Sequence, residues 1–128
     1  MVLKLSITDF QNIFTKRVFI QINTLFYFRD TMFLENITFS ISKNRSQDFE
    51  RWIKPELQDI EIWVEGIHTY KLLTEIDPQS CNYSIQFSFV SKEQHEIFKQ
   101  LHFDTLLAKT QINFEGEVLY FNTLLQRF

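Results

Sequence analysis

The sequence predicts an α+β domain: a mainly antiparallel six-stranded β-barrel or meander with short flanking helices. Apolar and polar residues alternate over 83–90 and again over 37–41, which is the pattern of strands with one buried face. A capping-box spacing from Ser91 to Gln94 follows the first of these segments and indicates a helix there. The chain has 128 residues, 45% of them hydrophobic and 15 of them Phe, which is enough for one domain with an aromatic core.

The first half of the chain is predicted to contain two strands and two short helices. Thr8 or Asp9 would cap an opening helix that runs to Phe14. A strand is expected over 18–28, a turn over 29–31 and the second strand over 37–41. Ser46 would then cap a short helix over 47–53, which Pro55 is expected to end because proline interrupts helical hydrogen bonding.

The second half is predicted to hold the remaining strands and the most clearly marked helix. Residues 59–64 are expected to form a third strand, which a turn at Gly66 joins to a fourth over 67–76. The strand Tyr83–Val90 and a helix over 92–103 follow. For the tail, two alternatives stay open: a sixth strand that includes Ile112, Phe114 and Val118, or a helix over 118–125.

The residues that common catalytic and cofactor sites need are missing from the sequence. Two isolated glycines, Gly66 and Gly116, exclude the glycine-rich loops that bind phosphates. The single cysteine cannot form an internal disulfide. His95 and His102 are seven positions apart and are expected on a solvent-exposed helix face, without a third metal ligand. We therefore predict no catalytic residue, no metal and no cofactor.

The composition also bears on partners and location. The chain has a net charge of -3 and no basic cluster, which argues against a nucleic-acid-binding protein. It contains no apolar run near the roughly 20 residues that a membrane span needs, and no secretory signal pattern, so a cytoplasmic location without membrane insertion is expected. Trp63 points outward from its predicted strand, and Trp63 and Phe121 are the candidate residues of a partner surface.

The element order resembles that of a PilZ domain, a small β-barrel with a closing helix that serves bacteria as a cyclic di-GMP receptor. The resemblance covers residues 16–106 of a single domain spanning 1–128. It is best where Tyr-Ser-Ile-Gln-Phe-Ser-Phe-Val precedes the capped helix, since this segment is similar to the last strand and C-terminal helix of that family.

The ligand motifs of the PilZ family are only partly matched. Lys16 and Arg17 stand where the family has two arginines before the first strand, so one arginine corresponds. After the second strand, Ser42 matches the family's serine, and Arg45 replaces its glycine. In the PilZ family, two arginines bind the dinucleotide through bidentate contacts that a lysine cannot make. The resemblance therefore implies a domain without tight cyclic di-GMP binding. Lys16, Arg17, Ser42 and Arg45 remain the candidate ligand-binding residues.

These observations lead to the expectation of a non-catalytic regulatory or adaptor domain that acts through protein–protein contacts. The resemblance implies a partner in pilus, motility or exopolysaccharide machinery. Two alternatives stay open: a receptor for cyclic di-GMP or another anionic ligand, and an unrelated dimeric adaptor or secretion chaperone. A homodimer is compatible with the main interpretation.

Overall fold

A computed structural model of the protein describes residues 32–128. The opening helix, the strand over 18–28, and Lys16 and Arg17 lie outside the described residues. The described elements, in order, are β1 (Phe33–Ser42), α1 (Ser46–Ile60), β2 (Gly66–Lys71), β3 (Ser80–Phe89), α2 (Lys92–Phe98), a π-helical turn (Lys99–Phe103), α3 (Asp104–Asn113) and β4 (Val118–Gln126). Short 3-10 turns at Lys43–Arg45 and Glu61–Trp63 flank α1.

The strands form one four-stranded sheet in the order β2-β3-β1-β4. Each of the three pairings is antiparallel, and the helices cover one face of the sheet. This βαββαβ arrangement with a split antiparallel sheet is the ferredoxin-like fold. The predicted six-stranded barrel is therefore wrong. A barrel needs its edge strands to pair, whereas β2 and β4 end this sheet on opposite sides.

The helix-facing side of the sheet is buried in an aromatic core. Residues along β1 alternate strictly between buried and half-buried positions. Phe39 on β1 packs against Phe49 of α1 with ring centroids 5.2 Å apart, and Phe87 on β3 packs against Phe98 of α2 at 4.8 Å. Eight of the phenylalanines in the described part of the chain are buried, and they form much of the layer between sheet and helices.

Helix α1 is longer than the sequence predicted, and the strand expected over 59–64 does not exist. Pro55 lies inside α1, which ends at Ile60. Leu57 and Ile60 continue the buried stripe of Phe49 and Ile53 beyond the proline. Burying two such side chains contributes about 3–6 kcal/mol, which offsets the roughly 3 kcal/mol that an interior proline costs. Tertiary packing therefore overrides the helix-stop signal.

The strand after residue 80 and the start of the helix that follows it were predicted correctly, although the helical run continues past the predicted end at 103 to Asn113. β3 spans Ser80–Phe89, and Ser91 caps α2 by accepting a hydrogen bond from the backbone N–H of Gln94 at 3.1 Å. The observed strand β2 is shorter than the strand predicted over 67–76, because it ends at Lys71.

Neither alternative for the tail is correct. Ile112 lies in α3 and Phe114 directly follows it, whereas Val118–Gln126 forms the edge strand β4. Gly116, at a φ of 76°, makes the turn between them.

Candidate functional site

Within residues 32–128, the face of the sheet that points away from the helices carries no Asp, Glu, Lys or Arg side chain. We call it the open face. Strand alternation and the pairing registers assign it these residues: Leu34, Asn36, Thr38, Ser40 and Ser42 of β1; Gly66, His68 and Tyr70 of β2; Ser80, Asn82, Ser84, Gln86 and Ser88 of β3; and Leu119, Phe121, Thr123 and Leu125 of β4. None is Asp, Glu, Lys or Arg, although these types make up 23% of the chain. A face of this size would carry about four charged side chains if it matched an ordinary surface.

One side of the open face is apolar. Leu119 is 76% exposed, Phe121 is 63% exposed and Leu125 is 48% exposed, all on the edge strand β4. The register places Leu34 of β1 directly opposite Leu125, and Thr38 opposite Phe121. Leu119 and Phe121 therefore lie together near the start of β4, and Leu125 and Leu34 lie together near its end, with Thr123 between them; we call these four apolar residues the apolar patch.

The middle of the open face is polar but uncharged. Ser84 donates a hydrogen bond from its Oγ to Asn36 Oδ1 at 2.7 Å, across the pairing of β3 with β1. The neighbouring positions hold hydroxyl and amide side chains, which both donate and accept hydrogen bonds. Such a surface can bind another neutral polar surface without the cost of desolvating a charged group.

The two predicted partner-surface residues lie in different layers of the molecule. Phe121 lies on the open face, as described above. Trp63 lies in the turn after α1, and its ring packs at a tilt against that of His102, with a centroid distance of 4.9 Å. Its carbonyl accepts a hydrogen bond from Gln94 Nε2 at 3.5 Å. Trp63 is thus half-buried among the helices and does not share a surface with Phe121.

Of the predicted ligand residues, Ser42 and Arg45 lie in the described part of the chain, whereas Lys16 and Arg17 lie outside it. Ser42 ends β1 on the open face, and its backbone N–H donates to the Glu117 carbonyl at 3.0 Å. Arg45 donates from Nη1 to Glu117 Oε2 at 2.7 Å and from Nε to Asp48 Oδ2 at 3.1 Å. Its guanidinium also lies over the ring of Phe114 at 4.8 Å.

These contacts give Arg45 a structural role. Its hydrogen bond with Glu117 raises the pKa of the guanidinium above its ordinary value. The pKa of Asp48 is lowered by its hydrogen bonds to Arg51 and Arg45. The Arg45 side chain therefore connects the start of α1 to the turn before β4.

A buried polar cluster under the sheet was missed by the sequence analysis. Glu35 is 2% exposed and His95 is 5% exposed, and His95 Nε2 lies 2.9 Å from Glu35 Oε1. With its proton on Nε2, His95 donates to this carboxylate, and Asn122 Nδ2 donates to the other oxygen at 3.3 Å. The expectation of a solvent-exposed His95 is therefore wrong. A signal was present, because Glu35 falls in the alternating phase of Phe33, Ile37 and Phe39.

No group of three or more His, Cys, Asp or Glu side chains that could hold a metal ion occurs within residues 32–128. Across the same residues, no helix is both long and apolar enough to cross a membrane.

Solved structures with a similar fold share little sequence with the chain. A Bacteroides thetaiotaomicron protein of unknown function, described as a possible oxidoreductase, is 12% identical with a TM-score of 0.59, covering 77% of this chain and 99% of that one. A putative antibiotic biosynthesis monooxygenase from Bordetella bronchiseptica is 16% identical with a TM-score of 0.57, covering 77% and 98%. A protein with that same description from Nitrosomonas europaea is 13% identical with a TM-score of 0.55, covering 80% and 95%.

These likenesses show the fold alone, and they correct the sequence-based family assignment. The chain resembles open-sheet ferredoxin-like proteins, so the PilZ resemblance, with its cyclic di-GMP connection, is wrong. The strand and capped helix that suggested it occur in both architectures. No curated protein matches the sequence. A family model does match, over residues 32–128, and its description is a domain of unknown function, DUF4286. The chain is a member of the DUF4286 family.

Proposed function

We propose that this protein is a non-catalytic binding domain that acts through its open face, and that the open face docks on a second copy of the chain. The observation that carries the proposal is the absence of charge from every open-face position of the four strands. A regulatory role and a cytoplasmic location complete the proposal. The PilZ-based expectation of pilus, motility or exopolysaccharide partners has lost its basis and is not part of it.

An uncharged sheet face is characteristic of a surface that becomes buried. The cores of protein interfaces are depleted in charged residues, because a charge removed from water must be paired at a cost. Solvated sheet faces and exposed edge strands instead carry charged side chains, which prevent unwanted pairing between chains. Here the apolar patch even includes the edge strand β4, where Leu119 is 76% exposed.

The chemistry of the open face favours a second copy over a charged partner. A neutral face offers no charge complementarity to a nucleic acid or to a strongly acidic or basic protein. Its hydroxyls and amides both donate and accept hydrogen bonds, so two copies related by a two-fold axis match each other. Four strands at about 4.8 Å spacing and about 25 Å length give a footprint of roughly 500 Å². With its surface relief, each copy would bury on the order of 600 Å², at the low end for specific interfaces.

The names of two similar structures include a monooxygenase, and another is called a possible oxidoreductase. At 12–16% identity those names give no residue to transfer. The proposal therefore contains no catalytic step.

Sedimentation equilibrium of the full chain between about 5 and 500 μM tests the proposal. We expect a monomer–dimer equilibrium that changes little between low and high salt, because the interface is uncharged. Phe121→Lys or Leu119→Lys would bring like charges into the interface and weaken the dimer by about 100-fold or more. Ile112→Lys is the matched control, since Ile112 on α3 is 77% exposed, about as much as Leu119.

A wild-type protein that stays monomeric at the highest concentration would refute the proposal. So would a dimer that survives both open-face substitutions, or one that Ile112→Lys disrupts equally.

A further inference from the structure

A cleft opens on the helix side of the sheet, between α1 and the edge strand β2. Thr69 of β2 pairs with Ile85 of β3, and both face the helices. Ile85 is buried at 2% exposure, whereas Thr69 is exposed. Helix α1 therefore covers β3 but leaves the outer strand uncovered, and the gap has a volume of about 150 Å³.

The inner walls of the cleft are apolar. Ile53 and Leu57 of α1 and Ile85 of β3 line it, each of them less than a tenth exposed. The ring of Tyr83 adds an aromatic wall and is 7% exposed. An apolar cavity of this volume is about the size that holds one benzene ring.

The mouth of the cleft carries an ordered group of polar side chains. Tyr83 donates its hydroxyl proton to Glu50 Oε2 at 2.7 Å, and Lys71 Nζ donates to the same oxygen at 3.3 Å. The hydrogen bond from Tyr83 lowers the pKa of Glu50, so this carboxylate stays ionised. Burial, followed by the hydrogen bond to Glu50, raises the pKa of Tyr83, so the phenol stays protonated as a donor.

The charges at the mouth do not cancel. Lys71 compensates Glu50, and Lys54 also lines the cleft. Lys54 lies close enough to Glu50 for its charge to lower the pKa of that carboxylate. Lys54 has no hydrogen bond or ion pair with any residue in the described part of the chain. The cleft therefore combines an apolar interior with one net positive charge at its entrance.

We propose that this cleft binds a small apolar monocarboxylate, with its ring or branched chain against Ile53, Leu57 and Ile85 and its carboxylate between Lys54 and Lys71. One negative charge matches the charge of Lys54, which is uncompensated in the described part of the chain, and charge-assisted hydrogen bonds from ammonium groups favour a carboxylate over a neutral amide. The volume limits the apolar part to about one six-membered ring. This site lies on the opposite side of the sheet from the open face, and it does not depend on the proposed dimer.

Benzoate is the probe, and ¹H–¹⁵N chemical-shift titration of the full chain is the measurement. We expect saturable shifts for the amides of Thr69, Lys71 and Ile85, with a Kd on the order of 1 mM for a ligand of this size. Benzamide, which has the same shape without the charge, should bind at least about fivefold more weakly.

Two variants test the two halves of the site. Lys54→Gln removes the uncompensated charge and should weaken benzoate binding by about threefold to fivefold, because the ammonium is exposed. Thr69→Trp places a large ring in the gap from an exposed edge-strand position, where it leaves the core intact and should abolish saturable binding. Lys92→Gln on α2 is the control for removing an exposed lysine elsewhere and should leave the Kd unchanged.

The proposal fails if benzoate gives no saturable shifts at these amides up to 20 times the expected Kd. It also fails if benzamide binds as well as benzoate, or if a folded Thr69→Trp protein still binds. An equal loss of affinity in the Lys54→Gln and Lys92→Gln variants would show a non-specific charge effect and would overturn it as well.

Discussion

Replacing Glu35 by leucine tests how much the buried polar cluster contributes to stability. The substitution keeps an extended side chain of similar volume on β1, so it opens little cavity. It removes the carboxylate that faces His95 Nε2 at 2.9 Å and Asn122 Nδ2 at 3.3 Å. His95 is 5% exposed, so water cannot replace the lost partner, whereas Asn122 is exposed and can turn to solvent.

The expected loss follows from the burial of His95. Leaving one partner of a buried charged or hydrogen-bonded pair without the other costs about 3–5 kcal/mol. We take the lower value, about 3 kcal/mol, because Asn122 is satisfied by water and no large cavity forms. For a chain of 128 residues, with an unfolding entropy of about 2.1 cal/mol/K per residue, that loss lowers the Tm by about 11 °C.

Urea denaturation followed by circular dichroism measures the free energy of unfolding. The double variant Glu35→Leu with His95→Leu should recover most of the loss, because replacing both partners by apolar residues removes the unpaired group. Glu115→Leu, at an exposed position before β4, is the control for the same chemical change. A loss below about 1 kcal/mol for Glu35→Leu, or a double variant no more stable than the single one, would refute the reasoning.

Three further predictions concern other contacts. Arg45→Met should lower the Tm more than Arg51→Met, because Arg45 bonds to two carboxylates and Arg51 to one; equal melting temperatures would contradict this. The lowered pKa of Glu50 means that its stabilising contribution is present above its ordinary pKa and is lost as the pH falls through the folded-state value. We therefore expect wild type to melt at a higher Tm than Glu50→Gln at pH 7, and this difference in Tm to shrink below about pH 4. A difference that stays the same at both pH values would exclude this linkage. Gly116→Ala should cost about 1 kcal/mol because a side chain is strained at positive φ, whereas Gly66→Ala, which meets only ordinary contacts, should be neutral or slightly stabilising by urea denaturation.

The local elements that the sequence predicted correctly are those whose signals lie within a few residues. The strand over 83–90 and its capped helix were found because alternation and the Ser91–Gln94 spacing are local patterns. The strand over 37–41 was found for the same reason, although β1 begins earlier, at Phe33.

The errors arose where packing decides the outcome. The segment 59–64 alternates like a strand, yet it does not form one. Ile60 is buried at the end of α1, and Val64 is buried directly after the 3-10 turn that follows. An alternation of three apolar residues fits both a short strand and a helix end, and the burial of Leu57 against the sheet selects the helix. The six-stranded barrel prediction counted this strand, which does not exist.

The candidate sites could be read from the sequence only in part. Phe121 was placed on a contact surface, a role that stays a prediction, but the open face needed the register of all four strands before its lack of charge became visible. The buried cluster joins Glu35 and His95 across 60 positions, and the cleft joins Glu50 and Tyr83 across 33. Pairings at such separations depend on strand order, which local periodicity does not contain.

The buried cluster and the open face are connected through the edge strand β4. On its helix side only Val118 is fully buried, while Leu124 is 45% exposed, so packing alone holds the second half of this strand weakly. A slip of one residue relative to β1 would turn the apolar patch towards the helices and remove it from the open face. In the observed register Asn122 lies beside Ile37 on the helix side and reaches the Glu35 carboxylate, whereas a slip of one residue would turn its side chain to the open face. An apolar residue at position 35 would lose no hydrogen bond in the slipped register, whereas a buried carboxylate would lose the donor from Asn122. We therefore expect Glu35→Leu to weaken the dimer by more than the loss of folded protein explains. The reason is that the contact between Glu35 and Asn122 also specifies which side of β4 faces the partner.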